Sequence, residues 1–313
     1  MKRLLMPLAL AVTSLAAEPK VLVPANGAPP VGPYVPGLVV GDYVYVSGQG
    51  VRDSQSKIAE GIEAQTRQCI ANVKAVLDAA GVSLDDVVSV QLYLADLKNL
   101  PVVEKLYLAA FTKDPARVTL GVARMPTDTT VEITVVAKKA GSAADKVYLP
   151  AVYGTSAADV EKRLVASLKK AGLSGKSVVY ANRYVVGAGG TGVVPVNALP
   201  GGASHAIFAV AAKTAPVGHA FCEAIAGEPG GSLEEQTSGV FAKLKGCLTK
   251  SGMTLENVVA TNVYVDDLNE FAKINAVYAT YFPVARPTRT TVQPVGAGVM
   301  KGSLVRISAF AVK

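Results

Sequence analysis

One phrase recurs three times in this 313-residue chain and limits what it can fold into. A helix-periodic stretch runs into a glycine, and Val-Val, four residues and a Tyr follow. The first copy has Gly81, Val87-Val88 and Tyr93; the second Gly172, Val178-Val179 and Tyr184; the third Gly252, Val258-Val259 and Tyr264. The preceding helices agree in phase, with Val73 and Leu77 matched by Leu164 and Leu168 and then by Leu244 and Leu248. Each copy ends in a strand pair, at 117–138, about 191–212 and 289–312. Repeats at a fixed period mean repeated structural units, here three α/β units of roughly 80 to 110 residues. The middle unit is short, with Gly-Ala-Gly-Gly-Thr-Gly at 187–192 where its neighbours carry a helix. A sheet covered by helices on one face must bury its other face elsewhere, and three such sheets can bury theirs against one another.

Within the first unit, Leu38 to Gln49 reads as strand–turn–strand around Gly41-Asp42. Gln65 to Ala80 is a helix, Val87 to Leu94 a strand, and Leu100 to Phe111 a helix with Pro101 in its first turn. The stretch 114–139 reads as a hairpin, with Val118, Leu120 and Val122 on one strand and Val131, Ile133 and Val135 on the other. Met125-Pro126-Thr127-Asp128 supplies the turn. This apolar hairpin carries two charges, Arg117 and Glu132, and a charge within a strand costs free energy unless it is paired or used.

The N-terminus has the grammar of an export signal: Lys2 and Arg3, a short apolar run from Leu4 to Val12, then Thr13-Ser14-Leu15-Ala16-Ala17. Cleavage near Ala16 or Ala17 is expected, the apolar run being too short to span a bilayer, so the mature chain is expected to be periplasmic or secreted and free of membrane. Thirty-one basic and 24 acidic residues give a net charge of +7, which falls to +5 without Lys2 and Arg3. The excess is diffuse, with no basic run or aromatic interleaving, so nucleic acid is not an expected partner. Pro19 to Pro36 reads as a Pro/Gly-rich lead-in. The cysteines do not form a framework: Cys69 and Cys247 fall on apolar helix faces and Cys222 in a loop-like stretch. All three are read as small buried hydrophobes, with a Cys222–Cys247 bridge possible but not indicated by spacing.

Other signals carry no chemistry. Gly187-Ala-Gly189-Gly-Thr-Gly192 fits G-x-G-x-x-G, but Val193-Val194-Pro195 follows, so no helix N-terminus awaits a pyrophosphate. His205 and His219 share no ligand spacing with Cys or acids, and no metal is expected. Tyr93, Tyr184 and Tyr264 are expected in the core.

Residues 32–139 resemble the Rid/YjgF family, the reactive-intermediate imine deaminases once labelled endoribonuclease L-PSP. The resemblance rests on Gly32-Pro-Tyr34-Val-Pro-Gly37, Val46-Ser-Gly-Gln49, Ile62 to Gln68, Ala116-Arg-Val-Thr119, Ala123-Arg-Met-Pro126 and Val131-Glu-Ile133. Residues 232–313 are similar through Glu235-Gln-Thr237, Asp267 to Phe271, Asn275 to Tyr278 and Arg286 to Val292. The resemblance implies an α+β, chorismate-mutase-like fold, normally a homotrimer with pockets between subunits. Three repeats in one chain then imply a monomeric pseudo-trimer: a leader at 1–17, repeat 1 at 32–140, a degenerate repeat 2 at 147–212 and repeat 3 at 213–313. It further implies cofactor-free hydrolysis of enamines and imines such as 2-aminoacrylate to 2-oxo acids and ammonia. An arginine matching Arg117 or Arg289 holds the substrate carboxylate, for which a planar fork suits better than lysine. A glutamate matching Glu132 activates water. Tyr34, Ser47, Gly48 and Asn275 match ligand-binding positions; Glu104 stands where Asn275 would in the first repeat, a departure.

Strand arithmetic constrains the carry-over. Pairing Glu132 with about Ala123 leaves Arg117 six residues away, on the order of 20 Å, so arginine and glutamate of one site must come from different repeats. The middle repeat has Thr191 and Ala206 at these positions and the third Arg289 and Arg306. Only Arg289 with Glu132 restores both partners, which predicts one competent pocket for a small carboxylate-bearing ligand. A binding protein without turnover is the alternative, and ribonuclease activity, lacking basic stripes and a histidine pair, ranks third.

Overall fold

The computed structural model describes residues 18–141, 146–213 and 218–313; the expected leader at 1–17 lies outside the described residues. The first unit contains β1 (Lys20–Leu22), β2 (Gly37–Val40), β3 (Tyr43–Gln49), α1 (Ile62–Ala79), β4 (Val87–Leu94), α2 (Leu100–Ala110), β5 (Ala116–Gly121) and β6 (Val131–Lys138). The second has β7 (Lys146–Gly154), α3 (Ala157–Lys170), β8 (Val178–Val186), β9 (Val194–Val196) and β10 (His205–Ala212). The third has β11 (His219–Ala226), α4 (Leu233–Thr249), β12 (Val258–Val265), α5 (Phe271–Tyr281), β13 (Thr288–Val292) and β14 (Val305–Val312).

Each unit forms its own sheet, ordered β1-β2-β3-β6-β4-β5, β7-β10-β8-β9 and β11-β14-β12-β13. The fold is α+β, three helix-backed sheets arranged as a single-chain pseudo-trimer. Each sheet has an outer core beneath its helices, Val73, Val76 and Leu77 of α1 packing in one, Leu164 and Leu168 of α3 and Leu244 and Leu248 of α4 in the others. The inner faces meet in a shared core containing Tyr93, Tyr184 and Tyr264 with Val118, Leu120, Phe208 and Val292. The recurring tyrosines thus lie on the axis that relates the units. Beside them Asn262 donates to Gln91 (2.9 Å), whose carbonyl also accepts from Tyr93 (2.5 Å), so a polar bridge crosses from the third unit to the first. Backbone hydrogen bonds stitch two of the three seams, Ala123 N to Gln293 O between the first and third units and Gly121 N to Ala198 O between the first and second, each 2.9 Å.

Three local expectations need correction. The stretch 114–139 is not a hairpin: β4 lies between β5 and β6, parallel to the first and antiparallel to the second. A parallel pair needs a crossover; α2 provides it and returns β5 to the far side of β4. Glu132 therefore sits opposite Tyr93 rather than Ala123. The lead-in carries an edge strand, β1 paired with β2. Cys222 lies in a strand and is bonded to Cys247 of α4, with Cα atoms 6.1 Å apart, while Cys69 is free and buried. Strand and helix bring together two cysteines that sequence spacing alone does not connect.

The short middle unit has a physical account. Its parallel strand β9 opposes only Tyr184 to Val186, so the return from β8 is short enough for residues 187–193. Gly187 and Gly192, with φ of 87° and 70°, make the bends that L side chains resist. Arg306 of the third unit, buried, donates from Nη1 to the carbonyls of Gly190 (2.6 Å) and Val193 (2.5 Å). A cation from the neighbouring sheet thereby holds the loop that replaces the missing helix.

Candidate active site

The register relating the units fixes the equivalent positions. Tyr93 pairs with Leu120 on β5, Tyr264 with Val292 on β13 and Tyr184 with Val194 on β9. Three residues before these partners come Arg117 on β5, Arg289 on β13 and, in the loop ahead of β9, Thr191. On the opposite side, Tyr93 faces Glu132, Tyr264 faces Arg306 and Tyr184 faces Ala206. The correspondences drawn from sequence therefore coincide with those in space.

Arg289 and Glu132 line one cavity at the seam between the third and first units, with Tyr34, Gly48, Phe271 and Thr291 also on its walls. Arg289 is delivered by the α5 crossover onto β13, whose strand is anchored to the first unit. Its backbone N–H donates to Ser47 Oγ (2.9 Å), and that hydroxyl donates to Val35 O (2.6 Å). The guanidinium lies 5.0, 4.9 and 5.5 Å from the ring centres of Tyr34, Tyr278 and Phe271. It is 4 % exposed, and its Nε and Nη2 are buried without a hydrogen-bond partner. Donors stripped of water and left unpaired are costly, so these are placed for an acceptor. Burial holds the guanidinium pKa below its ordinary value.

Glu132, 6 % exposed on β6, approaches the backbone of Gly48 so closely that a Cβ there would collide with its carboxyl. Burial raises its pKa from the usual carboxylate value to about 8, against a smaller opposing pull from Arg289. Gly32 is constrained in the same way, since a Cβ would strike the Arg289 guanidinium and Asn275 Oδ1. Asn275 donates weakly to Val31 O (3.5 Å), and its Oδ1 is buried and unpartnered. Tyr34 accepts from Val31 N (3.3 Å), and burial raises its hydroxyl pKa.

The structure thus gathers Glu132, Arg289, Tyr34, Gly48 and Asn275 at one seam and gives Ser47 to the scaffold beneath Arg289. Arg117 is elsewhere, at the seam of the first and second units, ion-paired to Glu104 at 2.8 Å with its guanidinium 4.3 Å from the Tyr107 ring centre. Thr191 is exposed in the glycine loop. Thr291, whose buried hydroxyl is unpartnered in the same cavity, was not anticipated; its place two residues beyond Arg289, on the same strand face, was the available signal. The histidines are remote from this chemistry, His205 Nδ1 lying 2.9 Å from Ser204 Oγ and His219 stacked on Phe310.

Known proteins resemble the outer units. A RutC family protein of Saccharolobus solfataricus is 48 % identical over 113 residues, 35 % of this chain and 90 % of that protein. The 2-iminobutanoate/2-iminopropanoate deaminase of Salmonella typhimurium is 37 % identical over 123 residues, 38 % of this chain and 96 % of the deaminase. The crystal structure of yeast Mmf1 is 31 % identical with a TM-score of 0.38, covering 39 % of this chain and 98 % of that one. The model of the endoribonuclease L-PSP family matches residues 25–139 and 218–313, the first and third units with the degenerate middle one left out. With that match covering well over half its length, the chain belongs to the endoribonuclease L-PSP family, the Rid/YjgF proteins.

Proposed function

We propose that this protein hydrolyses small imines derived from 2-amino acids, and their enamine tautomers, at the single seam where Arg289 meets Glu132. The observation that carries the reading is the composition of that cavity: an unpaired buried guanidinium and a buried carboxyl, supplied by different units. A substrate carboxylate on Arg289 satisfies the stranded donors and places the adjacent C=N carbon in the cavity toward Glu132. Ionised Glu132 takes a proton from water as the oxygen adds to that carbon. Glu132 passes that proton to the carbinolamine nitrogen, the C–N bond breaks as the hydroxyl proton moves to the now ionised Glu132, and 2-oxo acid and ammonia depart, the ammonia taking up the proton from Glu132 as ammonium. Tyr34 and Asn275 border the guanidinium and orient the carboxylate. The name of the Salmonella relative, a deaminase of 2-imino acids, supports the same chemistry.

The test is turnover of 2-iminopropanoate generated in situ. Glu132→Gln should lower kcat by about 100-fold or more, the scale of lost acid–base catalysis, while retaining affinity for pyruvate as product analogue. Arg289→Ala should lose that affinity. If wild-type protein binds pyruvate through Arg289 without accelerating hydrolysis, the seam is a carboxylate receptor and the hydrolase reading is wrong.

Export is a second proposal. Its support is the leader-like N-terminus and the Cys222–Cys247 bridge, a bond that persists in oxidising compartments.

A further inference from the structure

The seam between the first and second units repeats the architecture of the candidate site up to the guanidinium and then departs from it. Helices α2 and α5 align residue for residue: Leu100 with Phe271, Glu104 with Asn275, Tyr107 with Tyr278 and Phe111 with Phe282. Arg117 lies against Tyr107 (4.3 Å) as Arg289 lies against Tyr278 (4.9 Å). Beside the guanidinium the decisive difference is at the position of Glu104 and Asn275. Where Asn275 leaves Arg289 unpaired, Glu104 Oε1 takes an N–H of Arg117 Nη2 at 2.8 Å. The pairing is one-sided, for Arg117 Nη1 and Glu104 Oε2 are both buried without partners. A dedicated structural pair would meet fork to fork with two parallel bonds.

We infer that the Arg117 seam is a second carboxylate-binding pocket that the chain occupies with its own Glu104 side chain. Glu104 stands in for the ligand carboxylate, so the protein takes up one small carboxylate where its two arginines could hold two. Freed of Glu104 the pocket would bind without turnover, because Ala206 occupies the position equivalent to Glu132. The fold tolerates the freed state, since Arg289 beside Asn275 is already such a pocket. The inference rests on the proposed function in one respect, that an unpaired arginine in this setting holds a carboxylate.

Glu104→Asn installs the third unit's residue in the first. The probe is pyruvate, followed by saturation-transfer NMR and titration in five proteins: wild type, Glu104→Asn, Arg289→Ala, Arg289→Ala/Glu104→Asn, and that double variant with Arg117→Ala added. Arg289→Ala should weaken binding about tenfold or more, the loss expected for a charge-assisted pair. Adding Glu104→Asn should restore it, and adding Arg117→Ala should remove it again. Glu104→Asn alone should give two binding events per chain without any rise in turnover, a readout that stands even if the multiple variants fold poorly. Absence of a second event in folded Glu104→Asn, or recovery in the double variant that persists without Arg117, overturns the inference. Failure of Arg289→Ala to affect wild-type binding instead counts against the proposed function, and the two failures are separable.

Discussion

Glu132 joins stability and activity in a single carboxyl. Its pKa in the folded protein, about 8, lies above the ordinary carboxylate value. Between those two pH values the folded state holds a proton that the unfolded chain has released, so this residue's contribution to stability declines as pH rises through the interval. Glu132→Gln carries no such penalty. Its melting temperature should match the parent near pH 4.5 and exceed it increasingly up to pH 8, by on the order of a few kcal/mol in free energy. Catalysis should run the other way. A general base must be ionised, so kcat/KM for an imine should climb with pH and level off above about 8. A profile already flat from pH 6 would remove Glu132 as the base. Both signs follow from one cause, the desolvation of a carboxylate beside a cation that only partly offsets it. The sequence showed which residue types to pair and which repeats supply them, because Arg289 and Glu132 hold the only complementary combination. It could not show how deeply they are buried, which depends on the meeting of two units far apart in the chain.

At the level of elements, legibility followed locality. Helices and glycine stops were evident from periodicity. The misreading of 114–139 as a hairpin has a definite cause: two alternating strands with a turn between them look adjacent, and nothing local reveals that β4 intervenes in space. Arg117 and Glu132 remained apart all the same, now by strand order rather than by hairpin length. The disulfide was only a possibility in the sequence, because Cys222 reads there as loop and the strand that sets it against Cys247 of α4 is not a local signal. With Cys222 and Cys247 separated by 25 positions in sequence, the bridge should contribute about 3 kcal/mol by restricting the unfolded chain. Cys222→Ser/Cys247→Ser should lose roughly that in chemical denaturation. In the untreated, unfolded parent, thiol titration should find only Cys69.

The whole molecule makes the units unequal. A homotrimer carries every substitution at three seams, whereas here each seam has its own outcome: Arg289 opposite Glu132, Arg117 sealed by Glu104, and Arg306 spent on the carbonyls of the glycine loop. Three ionic solutions on one scaffold are open only to a chain whose copies diverge independently. Sedimentation of the protein should therefore give the mass of one chain, and a mass near three chains would sink the monomer reading. The stitching of the seams within one polypeptide, Gln293 to Ala123 and Arg124, has a kinetic counterpart. A site shared between separate subunits empties as the protein is diluted and its oligomer falls apart. Tethered halves meet at an effective concentration set by the chain, so specific activity should stay constant down to nanomolar protein, where a dissociating trimer would fade. In dilute surroundings outside a cell, the covalent link would keep such a site whole.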